Sequence, residues 1–228
     1  MHKRKVRVVS HIVIRSVIRV FMVVGIVGLL VAHPVRAEEP VAISDDKDFV
    51  SLFNGRNMDG WVGGTNAYVV EDGALVSLKE PVGKWDLSTE KEYTNFVFRF
   101  EFKLTPHANN GIGIRGGAEL QMLDNSSKYY KDFKPDKCHG ALYGLVPAKR
   151  GALKPVGEWN SQEVLVDGNH VKVILNGTVI LDCEIDKIKP SDVKQQQRLR
   201  RWRSSGPIKL LGHKRVVWFR HLRIKLLP

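Results

Sequence analysis

"NFVFRFEFKL", residues 95–104, alternates without a break: Phe96, Phe98, Phe100 and Phe102 fall on one side, and Val97, Arg99, Glu101 and Lys103 on the other. Successive side chains of an extended strand point to opposite faces, so the stretch predicts a strand with one face in a core and one toward solvent. "HVKVILNGTVILDCEI", residues 170–185, repeats the pattern twice around Asn176 and Gly177, a dipeptide that tolerates positive φ at both corners of a type I′ hairpin turn. Further strands are predicted over 68–78, 111–115, 119–123, 140–146, 161–166, 208–211 and 216–225, and only 191–203 has helical character. Ten or so strands separated by Gly, Asn and Asp turns predict an all-β chain folded as a jelly-roll sandwich of two antiparallel sheets, with a closed barrel as the alternative.

The first 37 residues read differently. Lys3, Arg4, Lys5, Arg7, Arg15 and Arg19 precede a 13-residue apolar run, Val20 to Ala32, and Val35-Arg36-Ala37 offers small residues at the two positions that a signal peptidase reads. We expect a signal peptide over 1–37, a linker over 38–47, one domain over 48–228, and export to the periplasm or the cell exterior; an uncleaved N-terminal membrane anchor is the alternative. Removing seven Lys/Arg from a net charge of +12 leaves +5. Much of that excess lies in "QQQRLRRWRSSG" (195–206), where Arg198, Arg200, Arg201 and Arg203 surround Trp202. Export argues against a nucleic-acid partner, and the stretch reads as a solvated loop; binding of acidic polysaccharide is the other reading. Cys138 and Cys183 are the only cysteines, compatible with a disulfide or with two free thiols.

"NNGIGIRGGAELQMLD", residues 109–124, combines four glycines with Arg115, Glu119, Gln121 and Asp124. Alternation puts Ile112 and Ile114 on one face of the first strand, and Leu120 and Met122 on one face of the second. A three-residue loop, 116–118, would pair Arg115 with Glu119 and Gly113 with Gln121, keeping the polar sets together. Gly111 and Gly113 would then floor a trough beside Gln121, open to a ligand or to an overlying loop.

"FVSLFNGRNMDGW", "NNGIGIRG", "AELQMLD", "HGALYGL", "GEWNSQEVLVDGNHVKVILNG" and "GPIKLLGHKRVVWFRHLRIKLL" occur in this order over residues 48–227. Together they resemble the 3-keto-disaccharide hydrolase domain family, which has a concanavalin A-like lectin/glucanase sandwich. The resemblance implies a concave sheet that binds sugar and, in some members, cleavage of glycosides whose C3 hydroxyl has been oxidised to a ketone. That carbonyl acidifies the C2 proton, so a base can form an enolate and the group at C1 leaves. Such a site needs a base, a partner for the enolate oxygen and an acid for the leaving group.

On this resemblance the catalytic candidates are Glu119 as base or acid, Arg115 as its charge partner or enolate stabiliser, and His139 as proton shuttle. Gln121, Asn110 and Asn160 are candidate hydroxyl ligands, Tyr143 a donor to the glycosidic oxygen and Trp159 a stacking platform. Asp124 is a candidate ligand that could equally cap a turn. A divalent cation could sit among Glu119, Asp124 and His139, though no motif requires one. The rival reading is a non-catalytic carbohydrate-binding module using Trp159, Gln121 and Asn110.

Overall fold

The computed structural model describes residues 47–228 apart from Val82. The signal peptide expected over 1–37 and nearly all of the linker lie outside the described residues.

The strands, in chain order, are β1 (Val50–Ser51), β2 (Trp61–Gly63), β3 (Tyr68–Glu71), β4 (Ala74–Ser77), β5 (Leu87–Thr89), β6 (Phe96–Leu104), β7 (Asn109–Ile114), β8 (Ala118–Leu123), β9 (Trp159–Asp167), β10 (His170–Leu175), β11 (Thr178–Glu184), β12 (Lys209–Leu211) and β13 (Val217–Leu226), with one short helix, α1 (Val193–Leu199). They form two antiparallel sheets. An eight-stranded sheet runs β11-β10-β9-β6-β13-β4-β3, with β1 on β13, and a five-stranded sheet runs β2-β5-β12-β7-β8. The expected jelly-roll sandwich is the observed architecture.

The phenylalanine row of β6 is the reason the sheets pack. Phe96, Phe98, Phe100 and Phe102 are fully buried, and they share one core cluster with Ile112, Ile114, Leu120, Met122 and Leu210 of the facing sheet. The opposite side of β6 is polar and cross-paired: Arg99 meets Glu163 of β9 at 2.6 Å, and Glu101 meets Arg220 of β13 at 2.7 Å. The β10–β11 hairpin has the expected turn, closed by Leu175 against Thr178, with φ of 50° at Asn176 and 81° at Gly177.

Two expectations need correction. Residues 68–78 form two strands rather than one, because Asp72 and Gly73 both take positive φ and turn the chain back on itself. Residues 140–146 are mostly turns; only Leu142 and Val146 bridge, to each other and, for Leu142, to Leu120. Cys138 and Cys183 are both free thiols.

Candidate functional site

The β7–β8 hairpin sets the geometry. Its pairs are Ile114 with Ala118, Gly113 with Glu119, Ile112 with Leu120 and Gly111 with Gln121, so the loop is 115–117 rather than 116–118. The expected pairing is off by two residues. Because side chains alternate with a period of two, a shift of two leaves every strand residue on its expected face. Ile112 and Leu120 enter the core, and Gly111, Gly113, Glu119 and Gln121 share the outer face.

Neighbouring strands extend this face into a row. Val62 pairs with Ser88, Ser88 with Lys209, Lys209 with Gly113, and Gly113 with Glu119. The Leu120–Leu142 bridge and the hydrogen bond donated by Tyr143 N to Glu119 O (2.8 Å) then set Tyr143 opposite Glu119. A second row runs Leu211, Gly111, Gln121 and Ala141. The glycines are where side chains converge: a Cβ on Gly111 would lie 2.6 Å from Glu119 Oε1 and 3.0 Å from Leu211, and one on Gly113 would lie 2.9 Å from Lys209 Cβ. The glycine floor therefore carries the Glu119 carboxylate itself, folded back over Gly111.

That carboxylate reaches His213, in the loop between β12 and β13, with Nε2 to Oε1 at 3.7 Å. Glu119 raises the His213 imidazole above its ordinary value, burial opposes this, and Asp86 adds to the rise. The Glu119 side chain is 20% exposed and that of His213 42%, so a bound molecule can reach both. His213 has no periodic signature; "LLGHKRVV" marks it only as a polar loop residue after a glycine. Gly212 explains the approach of that loop, since a Cβ there would lie 2.6 Å from the carbonyl oxygen of Trp85.

The other candidates disperse. Arg115 does not meet Glu119. It occupies the first loop position at φ 42°, and its buried guanidinium donates to Thr94 O, Asn95 Oδ1 (2.7 Å) and Gly168 O (2.6 Å), tying the hairpin tip to the ends of β6 and β9. His139 is buried in the core beside Phe102, ring centroids 5.3 Å apart, with Nδ1 accepting from Leu123 N at 3.2 Å. Asn110 alternates with Gly111 and so faces the core, fully buried. Asn160 is likewise buried, its Oδ1 accepting from Lys154 N and Asn176 Nδ2. Asp124 caps turns, accepting from His107 N, Ser126 N and Ser126 Oγ. Trp159 pairs with Lys103 on the outer face of the eight-stranded sheet, the far side of the sandwich, with Arg220 3.9 Å from its ring centroid. Of the nine candidates, Glu119, Gln121 and Tyr143 remain together.

The donor set Glu119, Asp124 and His139 does not fit a cation, and no group of three or more His, Cys, Asp or Glu among the described residues does. Cavities of about 440 and 290 Å³ border β1 and β13, away from Glu119. A second acid–histidine pair lies beside the first of these, Glu101 with His221 at 3.4 Å. Burial pushes that carboxyl up, but Arg220 and then His221 bring it below its ordinary value, and the 2.7 Å contact with Arg220 occupies it. Glu119, by contrast, has no Lys or Arg ion-pair partner among the described residues, only the His213 imidazole.

Two expected outcomes follow from these contacts. Gly111→Ala displaces the flexible end of Glu119 rather than backbone, so it should lower kcat at least tenfold while thermal unfolding shifts by only a few degrees. Steady-state kinetics and a melting curve on the same sample check it. His139 has its pKa lowered to about 4 by burial; Gln162 opposes the shift without its amide reaching hydrogen-bond geometry to Nε2. Below the unfolded imidazole value the unfolded chain binds a proton that the folded chain refuses. Stability should therefore fall between about pH 6.5 and 4 by on the order of 3 kcal/mol from this group. Urea unfolding across that range should show a shallower loss in His139→Phe.

The sequence profile of the 3-keto-α-glucoside-1,2-lyase-like domain matches residues 48–225. A 3-keto-disaccharide hydrolase of Bacteroides thetaiotaomicron is 23% identical over 233 residues, covering 80% of each chain. A candidate glycosyl hydrolase of Parabacteroides distasonis is 24% identical with a TM-score of 0.69, covering 78% of this chain and 99% of its own. A second from that organism gives 23% and 0.65, covering 79% and 94%. At these identities the two structures establish a shared fold, and the profile match over residues 48–225 establishes more: the chain belongs to the family of 3-keto-α-glucoside-1,2-lyase-like domains.

Proposed function

We propose that the protein cleaves 3-keto-glycosides on the outer face of the five-stranded sheet, with Glu119 as base and His213 as its acid partner. The carrying observation is the Glu119–His213 pair, held over the Gly111 backbone and open to solvent. Glu119 takes the C2 proton, and the electron pair left behind moves onto the C3 carbonyl oxygen as an enolate. Collapse of the enolate breaks the C1–O bond, and the departing oxygen takes a proton from the His213 imidazolium. Water adding across the new C1–C2 double bond returns a free 3-keto sugar, so no oxidant or reductant is consumed. The Glu119 carboxylate favours the protonated form of His213, which is the form that can donate to the leaving oxygen.

Elimination asks for one base and one acid, whereas ordinary glycosidases work with two opposed carboxylates. Gln121 lies opposite Gly111 but is 3% exposed with its Oε1 accepting from Met122 N, so it shapes the floor of the site, and Tyr143 lies across the strand pairing on the leaving-group side. The relatives' names agree with this reaction class. The basic and apolar N-terminal pattern supports the further proposal that the enzyme works in the periplasm or outside the cell.

The test is to incubate the purified protein with a 3-keto-disaccharide and, separately, with its unoxidised parent, and to follow monosaccharide release. Release from the ketone alone is expected. Equal cleavage of both would refute the elimination route, and binding of both without turnover would make the domain a binding module.

A further inference from the structure

The arginine-rich stretch that runs from the last turn of α1 is largely solvent-exposed, as expected, but it is not detached. It packs along the edge of the Glu119 face, and glycines make room for three of its four arginine stems, those of Arg198, Arg201 and Arg203. A Cβ on Gly144 would lie 2.8 Å from Arg198 Nε, one on Gly117 2.7 Å from Arg201 Cβ, and one on Gly116 2.7 Å from Arg203 Cδ. Trp202 pins the segment: its indole N–H donates to Asn169 Oδ1 at 3.1 Å, and the Arg115 guanidinium lies 5.1 Å from its ring centroid. The backbone joins in, with Arg203 N donating to Arg115 O at 3.3 Å. Arg198 covers Tyr143, guanidinium carbon to ring centroid 4.7 Å, and Tyr143 stands opposite Glu119.

These cations are also unneutralised. Among the described residues no Asp or Glu pairs with Arg198, Arg201 or Arg203, although Arg99 and Arg220 elsewhere are paired within 3 Å. A row of guanidinium groups held in place without acids repels itself, and an anion bound among them relieves that repulsion with forked hydrogen bonds. Directly opposed residues of an antiparallel pair have Cβ atoms about 5 Å apart, so Arg198 over Tyr143 flanks Glu119 on one side of β8, while the Glu119 carboxylate leans over Gly111 on the other.

We propose that Arg198, Arg201 and Arg203 form a subsite for an anionic saccharide, in which the ring next to the one at Glu119 carries a carboxylate or a sulfate ester. This rests on reading the Glu119 face as the sugar site. It adds a substrate class, acidic disaccharides, with the charge on the leaving-group side.

Three disaccharides test it by titration calorimetry at low ionic strength: a neutral one, its counterpart with a uronic acid in the leaving-group ring, and its counterpart sulfated in that ring. At least one anionic form should bind tenfold or more tightly than the neutral one, and the tighter of the two identifies the anion. In the double variant Arg198→Gln/Arg201→Gln the ratio of anionic to neutral affinity should fall close to one, with thermal unfolding confirming the fold. Equal affinities in the wild type, or a ratio that survives in the double variant, would overturn the proposal. The wild-type ratio decides alone should the variant not fold. Turnover of a neutral 3-keto-disaccharide by the wild type, measured in parallel, separates failure of this subsite from failure of the elimination reading.

Discussion

Glu119→Gln should abolish cleavage of 3-keto-disaccharides, lowering kcat/KM by about 10² to 10⁴, the range a positioned proton-transfer group contributes. The amide fills the same space over Gly111 and cannot take up the C2 proton. Stability should change by less than about 1 kcal/mol, because the pair that is lost spans 3.7 Å and its imidazole is 42% exposed to solvent. The His213 imidazole should also return toward its ordinary value, since Glu119 is the largest cause of its rise. The raised value fixes a sign: the protonated imidazole is present below its folded pKa and lost above it. Wild-type turnover should therefore decline as pH rises through a value above the ordinary imidazole range, and His213→Gln should remove that limb. A pH–rate profile of both proteins, together with an NMR titration of His213 in Glu119→Gln, checks the set.

Arg115→Ala should have the largest effect on stability, and for a structural reason. The guanidinium satisfies Thr94 O, Asn95 Oδ1 and Gly168 O at once, joining the tip of the β7–β8 hairpin to the other sheet. Hydrogen bonds from a charged donor contribute about 1.5–3 kcal/mol each, and truncation leaves their acceptors unmet, so a loss of roughly 3–5 kcal/mol is expected. For a domain of this size that lowers Tm by about 10 °C. The clamp also holds Arg115 at φ 42°, a left-handed conformation that costs a non-glycine residue about 1 kcal/mol or more. Lysine keeps the charge without the fork, so Arg115→Lys should recover less than half of the loss. Per folded molecule, kcat should stay within a few-fold of wild type; a hundredfold fall with an unchanged Tm would return Arg115 to the catalytic group.

What sequence could reveal here follows from the period of a strand. Phe96 to Phe102 and the Asn176-Gly177 turn announce their structure locally, and both are found as read. The faces of Glu119 and Gln121 survive an error of two in pairing, because parity is insensitive to such an error. Arg115 does not survive it: one residue past the strand, in a turn, alternation no longer directs its side chain. His139, Asn110 and Asn160 resemble site residues in being polar beside glycine-rich strands, yet each faces the core and satisfies local backbone or side-chain groups. Trp159 is lost for a different reason, since which sheet a strand joins depends on pairing with β6, sixty residues earlier in the chain. His213 is invisible for the same reason, because its nearness to Glu119 arises from β12 lying beside β7. The arginine segment shows its charge in sequence; its seat against Gly116, Gly117 and Gly144 exists only in three dimensions.

The central claim is that Glu119 removes the proton from C2. It is tested most directly with a 3-keto-disaccharide deuterated at C2, cleaved in ordinary water and followed by NMR. Loss of the label in step with cleavage, a slower reaction than with the protonated sugar, and neither event in Glu119→Gln is the predicted result. Cleavage that leaves the deuterium in place at C2, at the same rate as the unlabelled substrate, would contradict it.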